Sequence, residues 1–399
     1  MIEIRPATPD EMPALRRVVA TSLMLDAASL DALSPEMTLC AFDDDRVASV
    51  HGSWPLTMRF NGKAVPISGV TTVSTDPLDR GRGHLRSLIT HHFNELHELG
   101  ERPWAALYAS QATIYQRFGY GIVSTHYNYK IEPQYLVWAE PLTVPGTLRE
   151  IDPVADFSLM VDLYRKYRED RTGLLHRGRP MWDAGVLQKP KGDDRQTVVV
   201  YEEDGEPLGY MVFDTGHYPD SPPLVSQKIT VKDMTPLTPL AYRAFWNHLA
   251  KMPLARFIEV PHAPPDDPIQ HLILEPRFLR RTSREGILAR IIDLAAGLDA
   301  RRYDGGTVVS FELIDDLCPW NAGRWRASLT REGAEVEKLT SGEPELSMTA
   351  NTLAMLAFGQ ITATQAADFG RLGVHDGASL PRWDAAFKTR YAPYCVDNF

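Results

Sequence analysis

Cysteine is scarce in this chain, and the pattern of the few that occur excludes two classes of protein. The 399 residues include three cysteines, Cys40, Cys318 and Cys395, which lie far apart and share no CxxC or HxxxC spacing. An odd number of scattered cysteines argues against a disulfide framework and against a structural zinc site. We therefore expect no bound metal.

Long apolar runs are also missing. The amino-terminal stretch MIEIRPATPDEMPALRR lacks the apolar centre of a signal peptide. No run elsewhere approaches the roughly 18 consecutive apolar residues that a membrane helix requires. These two absences predict a cytoplasmic protein that makes no membrane contact.

Positive charge is in deficit: 42 lysines and arginines stand against 52 aspartates and glutamates, which gives a net charge of −10 at pH 7. Nucleic-acid phosphates would be repelled, so we expect no nucleic-acid partner, and a cationic substrate suits this balance better. Hydrophobic residues make up 44% of the chain, which is ample for sizeable cores. At roughly 100–200 residues per domain, the length predicts two or three domains.

The first 150 residues are predicted to form an α/β layer. A strand, a helix and hairpins lead to a β-branched strand, an Arg/Gly loop, an amphipathic helix over residues 85–99, the strand WAALYAS and the helical turn ATIYQRFGYG. Gly100 supplies the stop of the long helix. The loop therefore lies at the carboxyl end of a strand, which is where α/β folds usually bind ligands.

Residues 151–284 repeat this outline, and residues 285–399 do not. The Pro-rich stretch 131–153 indicates a linker. A helix, a hairpin turning at Asp204-Gly205, a strand and a helix follow it without a second Arg/Gly loop. The last part is predicted to be α+β, with strands before helices. Thr282 and Glu285 can form a capping box, which predicts a helix over residues 285–303.

The loop Arg80-Gly81-Arg82-Gly83-His84-Leu85 has the composition of a phosphate cradle. Glycines let the backbone approach a ligand closely, and free N–H groups at a helix N-terminus bind anions. The loop lacks the third glycine of the dinucleotide fingerprint and the Gly-Lys-Ser/Thr of a P-loop. From the loop alone, an exposed basic turn that binds nothing is the alternative.

In its context this loop resembles motif A of the GNAT acetyltransferases, and IYQRFGYG (residues 114–121), the chain length and the aromatic C-terminus are similar to the Eis family of bacterial N-acetyltransferases. The resemblance implies three domains: an active GNAT domain over 1–150, a GNAT-like domain without a cofactor site over 151–284, and a sterol-carrier-like domain over 285–399. It also implies acetyl-CoA as co-substrate, a C-terminal tail that enters the active site, and a homohexamer.

The family's site residues carry over onto the matching positions of this sequence. The resemblance implies that Tyr120 is the general acid and that the α-carboxylate of Phe399 is the general base. The cofactor contacts that it implies are Val73, Ser74, Thr75, Gly81, Arg82, Gly83, His84, Leu85, Arg86, Tyr115 and Gln116. Relatives often carry a run of arginines in the loop, so Gly81 removes one phosphate salt bridge.

Acetyl transfer to an amine requires a polarised thioester carbonyl, a neutral amine and a proton for the departing thiolate. Backbone N–H groups of the Val73–Thr75 strand suit the first need. A phenol with a pKa near 10 suits the last, because a thiol's pKa of about 8.5 is close to it. A terminal carboxylate is a weak base that works by drawing a proton through water. A core aromatic beside a turn is the alternative interpretation of Tyr120.

These features predict an acetyl-CoA-dependent N-acetyltransferase that acts by direct transfer in a ternary complex on primary amines of a polycationic small molecule. An aminoglycoside is one such acceptor, and its acetylation would confer antibiotic resistance. Asp26 and Asp397 are the candidates for holding the cation, with solvated surface charges as the alternative. A lysine acetyltransferase of proteins or peptides and a non-catalytic carrier of apolar ligands are the other functions left open.

Overall fold

The computed structural model describes residues 2–25, 30, 33–190, 192, 194–217, 227–252 and 254–399. These residues divide into two units. The first unit comprises the described residues up to Val123, then Ile287–Thr389 and Phe399, and the second comprises Ser124–Gly286 and Arg390–Asn398. No helix in the described ranges is long and apolar enough to cross a membrane.

The first unit begins with strands and helices in the predicted order. Its early strands are β1 (Ile2–Arg5), β2 (Thr38–Asp43), β3 (Arg46–Phe60), β4 (Lys63–Thr75), β5 (Trp104–Tyr108) and β6 (Gly121–Ile122). Its early helices are α1 (Met12–Leu23), α2 (His84–Leu99) and α3 (Ala112–Gln116). The Asn61-Gly62 turn joins β3 to β4 with both residues at positive φ, 42° and 91°, which is the backbone that this dipeptide favours in hairpins.

Helix α2 forms over the predicted range because its apolar residues recur at helical spacing. The side chains of Leu88, Phe93 and Leu96 are buried on one face, and the opposite face is exposed. Gly100 ends the helix in the left-handed conformation at φ 66°, where its N–H donates to the carbonyl of Leu96 at 3.0 Å. The helix therefore presents its N-terminus at the end of the Arg/Gly loop.

The predicted helix over residues 285–303 is wrong. The chain there forms β13 (Thr282–Glu285) and β14 (Ile287–Ile291), and a helix begins only at α8 (Leu294–Asp299). All five residues of β14 are buried, because this strand lies between β5 and β6 in the sheet order β1-β2-β3-β4-β5-β14-β6. Burial on both faces produces a continuous apolar run that periodicity alone does not distinguish from a helix.

The strands β4 and β5 are parallel, and they pair over a short distance only. Their register runs from Ile67 opposite Trp104 to Gly69 opposite Ala106. Beyond these residues, β4 continues to Thr75 and β5 to Tyr108 without pairing with each other. The edge of β4 beyond Gly69 is thus left open towards β5. A gap between parallel strands at their carboxyl ends is a usual location for a ligand.

The second unit repeats this plan. Its strands are β7 (Thr125–Ile131), β8 (Thr147–Glu150), β9 (Arg195–Glu203), β10 (Glu206–His217), β11 (Gln227–Pro236), β12 (Ala255–Ala263) and β13. Its helices are α4 (Phe157–Arg168), α5 (Arg179–Ala184), α6 (Pro239–Ala250) and α7 (Ile269–Leu272). The parallel strands β11 and β12 also separate early, after Thr230 opposite Glu259. Strand β8 lies inside the stretch 131–153 that was predicted as a linker.

The remainder of the first unit is the α+β part. Its strands are β15 (Thr307–Ile314), β16 (Gly323–Leu329), β17 (Ala334–Lys338), β18 (Leu346–Thr349) and β19 (Gly373–Val374), in the order β17-β16-β15-β18-β19. Besides α8, its helices are α9 (Ala350–Phe358), α10 (Ala363–Asp368) and α11 (Leu380–Phe387). The domain boundaries at 150 and 284 stay predictions. The sheets do not follow these boundaries: β7 precedes residue 150 but belongs to the second sheet, and β14 follows residue 284 but belongs to the first.

Candidate active site

The Arg/Gly loop has an open backbone surface at the start of α2. Gly81 and Gly83 have φ values of 82° and 86°, and a Cβ atom added to either would meet nothing within 4 Å. Gly83 is the N-cap of α2, so no side chain covers the first amides of the helix. Two left-handed glycines and an uncapped helix N-terminus give the concave, amide-lined surface that binds phosphate groups.

The buried carboxylate of Asp79 anchors this loop through ion pairs. Asp79, whose side chain is 1% exposed, accepts hydrogen bonds from Arg46 at 2.6 and 3.0 Å and forms an ion pair with Arg82 at 3.0 Å. The bond from Arg46 is the main reason why the pKa of Asp79 is lowered. The half-exposed Arg82 guanidinium is thus fixed at the rim of the loop. Asp79 and Arg46 were not predicted, because their pairing joins positions far apart in the sequence.

A β-bulge interrupts β4 immediately before the predicted cofactor strand. The register shifts between Val50 opposite Ser74 and Gly52 opposite Thr71, so that Thr72 and Val73 face a single residue of β3. Thr72 has a φ of 50°, which is rare for a β-branched residue and costs about 1–3 kcal/mol. Backbone strain of this kind is concentrated at functional sites. Here it lies where β4 has no partner on its β5 side.

Tyr120 is completely buried, and its hydroxyl group has no hydrogen-bond partner in the part of the chain that the structure describes. Its ring lies 6.0 Å from that of Phe93 and 5.9 Å from that of Tyr115, measured between centroids. Among the described residues none forms a hydrogen bond with the Tyr120 hydroxyl. Burial raises the pKa of Tyr120, so the phenol is protonated at neutral pH. A buried hydroxyl without a partner is costly in a folded protein, and a catalytic role is one of the explanations for such a group.

An ion pair missed by the sequence prediction supports Tyr120. Arg290 and Asp315 have side chains that are each 1% exposed, and they are joined by bonds of 2.6 and 2.9 Å. A Cβ atom on Gly119 would lie 1.6 Å from Nη1 of Arg290, so only glycine fits beside Tyr120. Arg290 lies on β14. Because a helix was predicted there, the sequence did not indicate that Arg290 lies next to Gly119.

Phe399 lies where β4 and β5 separate. Its ring packs edge-on against that of Tyr108 at 5.8 Å, and a Cβ atom on Gly69 would lie 3.1 Å from its Cδ2 atom. Gly69 and Ala106 are the last paired residues of the two strands. The aromatic terminus thus packs at the mouth of the gap.

The other predicted site residues have mixed placements. Tyr115 is buried against Tyr120, His84 is buried at the start of α2, and the Arg86 guanidinium lies 5.5 Å from the ring of Phe118. The backbone carbonyl of Gln116 accepts a hydrogen bond from Asn351 at 3.2 Å. Asp26 lies outside the described residues.

Asp397 does not have the placement expected of an acceptor-binding residue. It belongs to the second unit, where its carboxylate is 2.8 Å from Nε of the fully buried Arg177 and 3.4 Å from the hydroxyl of Tyr164. Its side chain is 7% exposed and is paired with an arginine. Acceptor binding by Asp397 stays a prediction.

Three family models match the chain in succession. Residues 3–123 match an acetyltransferase (GNAT) domain, residues 173–291 match a second acetyltransferase (GNAT) domain, and residues 294–396 match a sterol carrier protein domain. The predicted fold class, two GNAT domains and a C-terminal sterol-carrier-like domain, is therefore confirmed.

Relatives and solved structures extend along nearly the whole chain. An uncharacterised N-acetyltransferase of Streptomyces avermitilis is 28% identical over 91% of this chain and 90% of its own length. The N-acetyltransferase Eis of Mycobacterium tuberculosis is 27% identical over 83% of this chain and 81% of its own length. The crystal structure of Eis1 from Mycobacterium abscessus has a TM-score of 0.86 at 26% identity, with all of both chains covered.

A loop-to-helix anion site at the gap between parallel strands, within a tandem of GNAT domains, defines the chain as an acyltransferase of the GNAT type. A sterol carrier domain completes the architecture. With matches of this extent to the mycobacterial proteins, the chain belongs to the Eis-like N-acetyltransferases.

Proposed function

We propose that this protein is an acetyl-CoA-dependent N-acetyltransferase that acetylates primary amines of a polycationic small molecule, such as an aminoglycoside, by direct transfer in a ternary complex. The observation that carries the proposal is the buried, unpartnered hydroxyl of Tyr120, which lies in the same unit as an open phosphate cradle. GNAT domains imply acetyl-CoA use, and the residues present fit that co-substrate.

The first unit offers separate groups for each part of the co-substrate. The amides around Gly83, with Arg82 at the rim, suit a diphosphate. The edge Val73–Thr75 faces β5 without pairing to it and so suits an extended amide-containing arm. When bound, acetyl-CoA supplies an activated acetyl thioester. We assign backbone N–H groups of this edge to polarising its carbonyl.

Tyr120 serves in this proposal as general acid. Because burial raises its pKa, the phenol holds its proton at neutral pH and can donate it in a hydrogen bond to the sulfur, passing it on as the carbon–sulfur bond breaks. The Arg290–Asp315 pair keeps the Tyr120 segment in place through the contact at Gly119.

The terminal α-carboxylate of Phe399 serves as general base. It accepts a proton from the acceptor ammonium through water and then stabilises the positive charge that develops on the attacking nitrogen. The packing of Phe399 against Tyr108 at the gap supports this role, because an ordered aromatic side chain restricts where the attached carboxylate lies.

Direct transfer is favoured over an acetyl-cysteine route. Cys40, Cys318 and Cys395 are all buried, and burial raises the pKa of Cys40 to about 12 and that of Cys318 to about 11. A buried, protonated thiol is a poor nucleophile. The net charge of −10 supports a cationic acceptor, Asp26 remains a candidate for binding it, and a homohexamer is the proposed assembly.

Extending the chain beyond Phe399 tests the proposal. A Gly-Ser extension moves the terminal carboxylate away from Phe399 while leaving every side chain in place. We expect kcat for aminoglycoside acetylation, measured by thiol release, to fall by about 10²-fold or more. Acetyl-CoA affinity by calorimetry and the unfolding temperature should be unchanged. A fully active extended enzyme would rule out the general base, and the loss of acetyl-CoA binding would indicate a folding defect instead.

A further inference from the structure

The second unit contains a cavity of about 610 Å³, and all of the residues that line it belong to that unit. Its volume is that of a typical small-molecule site, which measures roughly 300–1,000 Å³. Much of the wall is aromatic: Tyr164, Tyr167, Tyr242, Trp246, Tyr391 and Tyr394. A largely apolar wall with a few polar groups is the usual composition of a site for a small organic molecule.

Arg171 is a cationic residue of this wall that lacks a hydrogen-bond acceptor. Its side chain is only 11% exposed, and its guanidinium carbon lies 4.3 Å from the centre of the Tyr167 ring and 4.1 Å from that of Tyr391. Its ion pair with Asp266 is 3.8 Å long, which is beyond hydrogen-bond distance, and its Nη1 atom has no hydrogen-bond partner among the described residues. Two aromatic rings therefore hold a guanidinium whose donor is unused.

Trp246 brings a second unused donor to the wall. It lies on α6 and is 1% exposed, and its indole N–H makes no well-formed hydrogen bond within the described ranges. The indole of Trp138 in the same unit, by contrast, donates to the side-chain oxygen of Asn247 at 2.6 Å. An indole N–H can only donate, so the partner that Trp246 lacks is an acceptor.

The acidic residues of the wall already have partners. Asp267 accepts a hydrogen bond from the Tyr242 hydroxyl at 2.8 Å, and Asp233 accepts one from Arg177 at 2.6 Å. Asp266 accepts one from a backbone N–H at 3.0 Å. A cationic occupant would have to compete with these donors, whereas an occupant with acceptor oxygens would satisfy the two unused donors of the wall.

We propose that this cavity binds a small organic acid, whose carboxylate pairs with Arg171 and whose apolar body packs on the aromatic wall. The planar guanidinium matches the two oxygens of a carboxylate, and Lys232 and Arg243 add positive charge to the lining. The N–H of Trp246 donates to an oxygen of the same ligand. The second unit then binds a ligand of its own, whatever the acceptor of the first unit is.

Calorimetry with the full-length protein tests the class of ligand. The probes are octanoate, phenylbutyrate and naphthyloxyacetate, each compared with its primary amide and with the amine of the same carbon skeleton. We expect at least one acid to bind with a Kd below about 100 µM and at least about ten-fold more tightly than its amide, because a charge-assisted pair is stronger than a neutral hydrogen bond. If no acid meets both criteria, the proposal is wrong. An amine that binds more tightly than its acid would indicate a cation site instead.

Two arginine variants test the location. Arg171→Gln removes the charge from the wall, so the acid should bind at least about ten-fold more weakly, at the level of its amide. Arg149→Gln is the matched control, because Arg149 lies on β8 of the same unit, outside the cavity lining, and pairs with Glu202 at 2.8 Å. Its affinity for the acid should stay within about two-fold of the parent's. Unchanged affinity in Arg171→Gln, or an equal loss in both variants, would overturn the proposal. The unfolding temperature checks that each variant is folded.

Trp246→Phe is an independent variant, and it replaces Arg171→Gln if that protein does not fold. It removes the second donor but keeps an aromatic ring, so we expect the acid to bind about three- to ten-fold more weakly. Trp138→Phe is its control, because Trp138 lies outside the cavity lining and should leave the affinity within about two-fold. Equal binding of the acid by the two tryptophan variants would overturn its assignment to this cavity.

Discussion

The two units each contain a pair of parallel strands that separate after a few residues, but in the described parts of the chain only the first unit has the open glycine loop that we propose as a phosphate cradle. In the first unit β4 leads through Gly81 and Gly83 to the uncovered N-terminus of α2. In the second, β11 leads through Leu237 to α6, whose first amides are covered: the Thr238 hydroxyl accepts from the Ala241 N–H at 3.1 Å, and Pro239 has no N–H to offer.

The space beyond the strands differs as well. In the second unit it is a cavity of about 610 Å³ lined largely by apolar and aromatic side chains such as Tyr242 and Trp246, and the tail residues Tyr394 and Val396 form part of its wall. The gap in the first unit lies beside a strained bulge, and the same unit contains the buried Tyr120 hydroxyl, which has no hydrogen-bond partner among the described residues. The comparison teaches that separated strands define the fold, whereas free amides and unsatisfied polar groups define the site.

The largest expected effect comes from removing the phenol of Tyr120. Tyr120→Phe should lower kcat by about 10²–10⁴-fold, as expected for loss of a general acid, without lowering the unfolding temperature, because the hydroxyl has no partner to lose. Tyr303→Phe is the matched control. Tyr303 is equally buried, but its hydroxyl donates to the Leu298 carbonyl at 2.7 Å. That control should lose about 1 kcal/mol of stability and keep kcat. Equal kcat in both variants would remove Tyr120 from the mechanism.

A smaller effect is expected from closing the cradle. Gly83→Ala should raise KM for acetyl-CoA by about ten-fold, because a methyl group would occupy space that the ligand approaches. Gly205→Ala in the second unit tests whether backbone strain alone accounts for the rise in KM. Gly205 has a φ of 82° and equally open surroundings, so both variants should lose about 1 kcal/mol of unfolding free energy. If Gly205→Ala raised KM to the same extent, the cradle would have no special role.

Because the first amides of α6 in the second unit are capped by Thr238, we predict that each chain binds one coenzyme. Calorimetry with acetyl-CoA should give a stoichiometry of one. Thr238→Ala should cost about 1 kcal/mol of stability through loss of the cap and leave acetyl-CoA affinity unchanged. A stoichiometry of two would break the comparison between the units.

The smallest effect is expected from pH. Because the pKa of Tyr120 is raised, the folded protein keeps its proton where the unfolded chain loses it, so the stability linked to this group is complete below about pH 10 and is lost as pH rises further. The kcat profile should therefore show no alkaline decline from Tyr120 below about pH 10. A decline near pH 8 that disappears in Tyr120→Phe would contradict the raised pKa.

The Arg/Gly loop and α2 could be predicted from neighbouring residues. Features that depend on pairing between distant parts of the chain could not. Gly83, the apolar spacing of α2 and the stop at Gly100 are all properties of neighbouring residues, and the structure has them where they were predicted. The strand β14 was predicted as a helix, because the apolar run over 287–298 suits either form and only the space between β5 and β6 decides.

The supports of the site were missed for the same reason. Asp79 binds Arg46, and Arg290 binds Asp315, across loops whose geometry no local pattern reveals. The positive φ of Thr72 was equally hidden, since threonine ordinarily avoids that conformation and the bulge is imposed by pairing with β3. Family resemblance supplied Tyr120, but the contacts that hold it came only from the three-dimensional structure.

The position of β14 has a consequence for biosynthesis. Residues 124–286 must all leave the ribosome before Ile287–Ile291 can fill the slot beside β5. The sheet of the first unit therefore stays incomplete, with two exposed edges, until most residues of the second unit have been synthesised. A nascent chain in that state depends on timely completion to avoid pairing those edges with a neighbour.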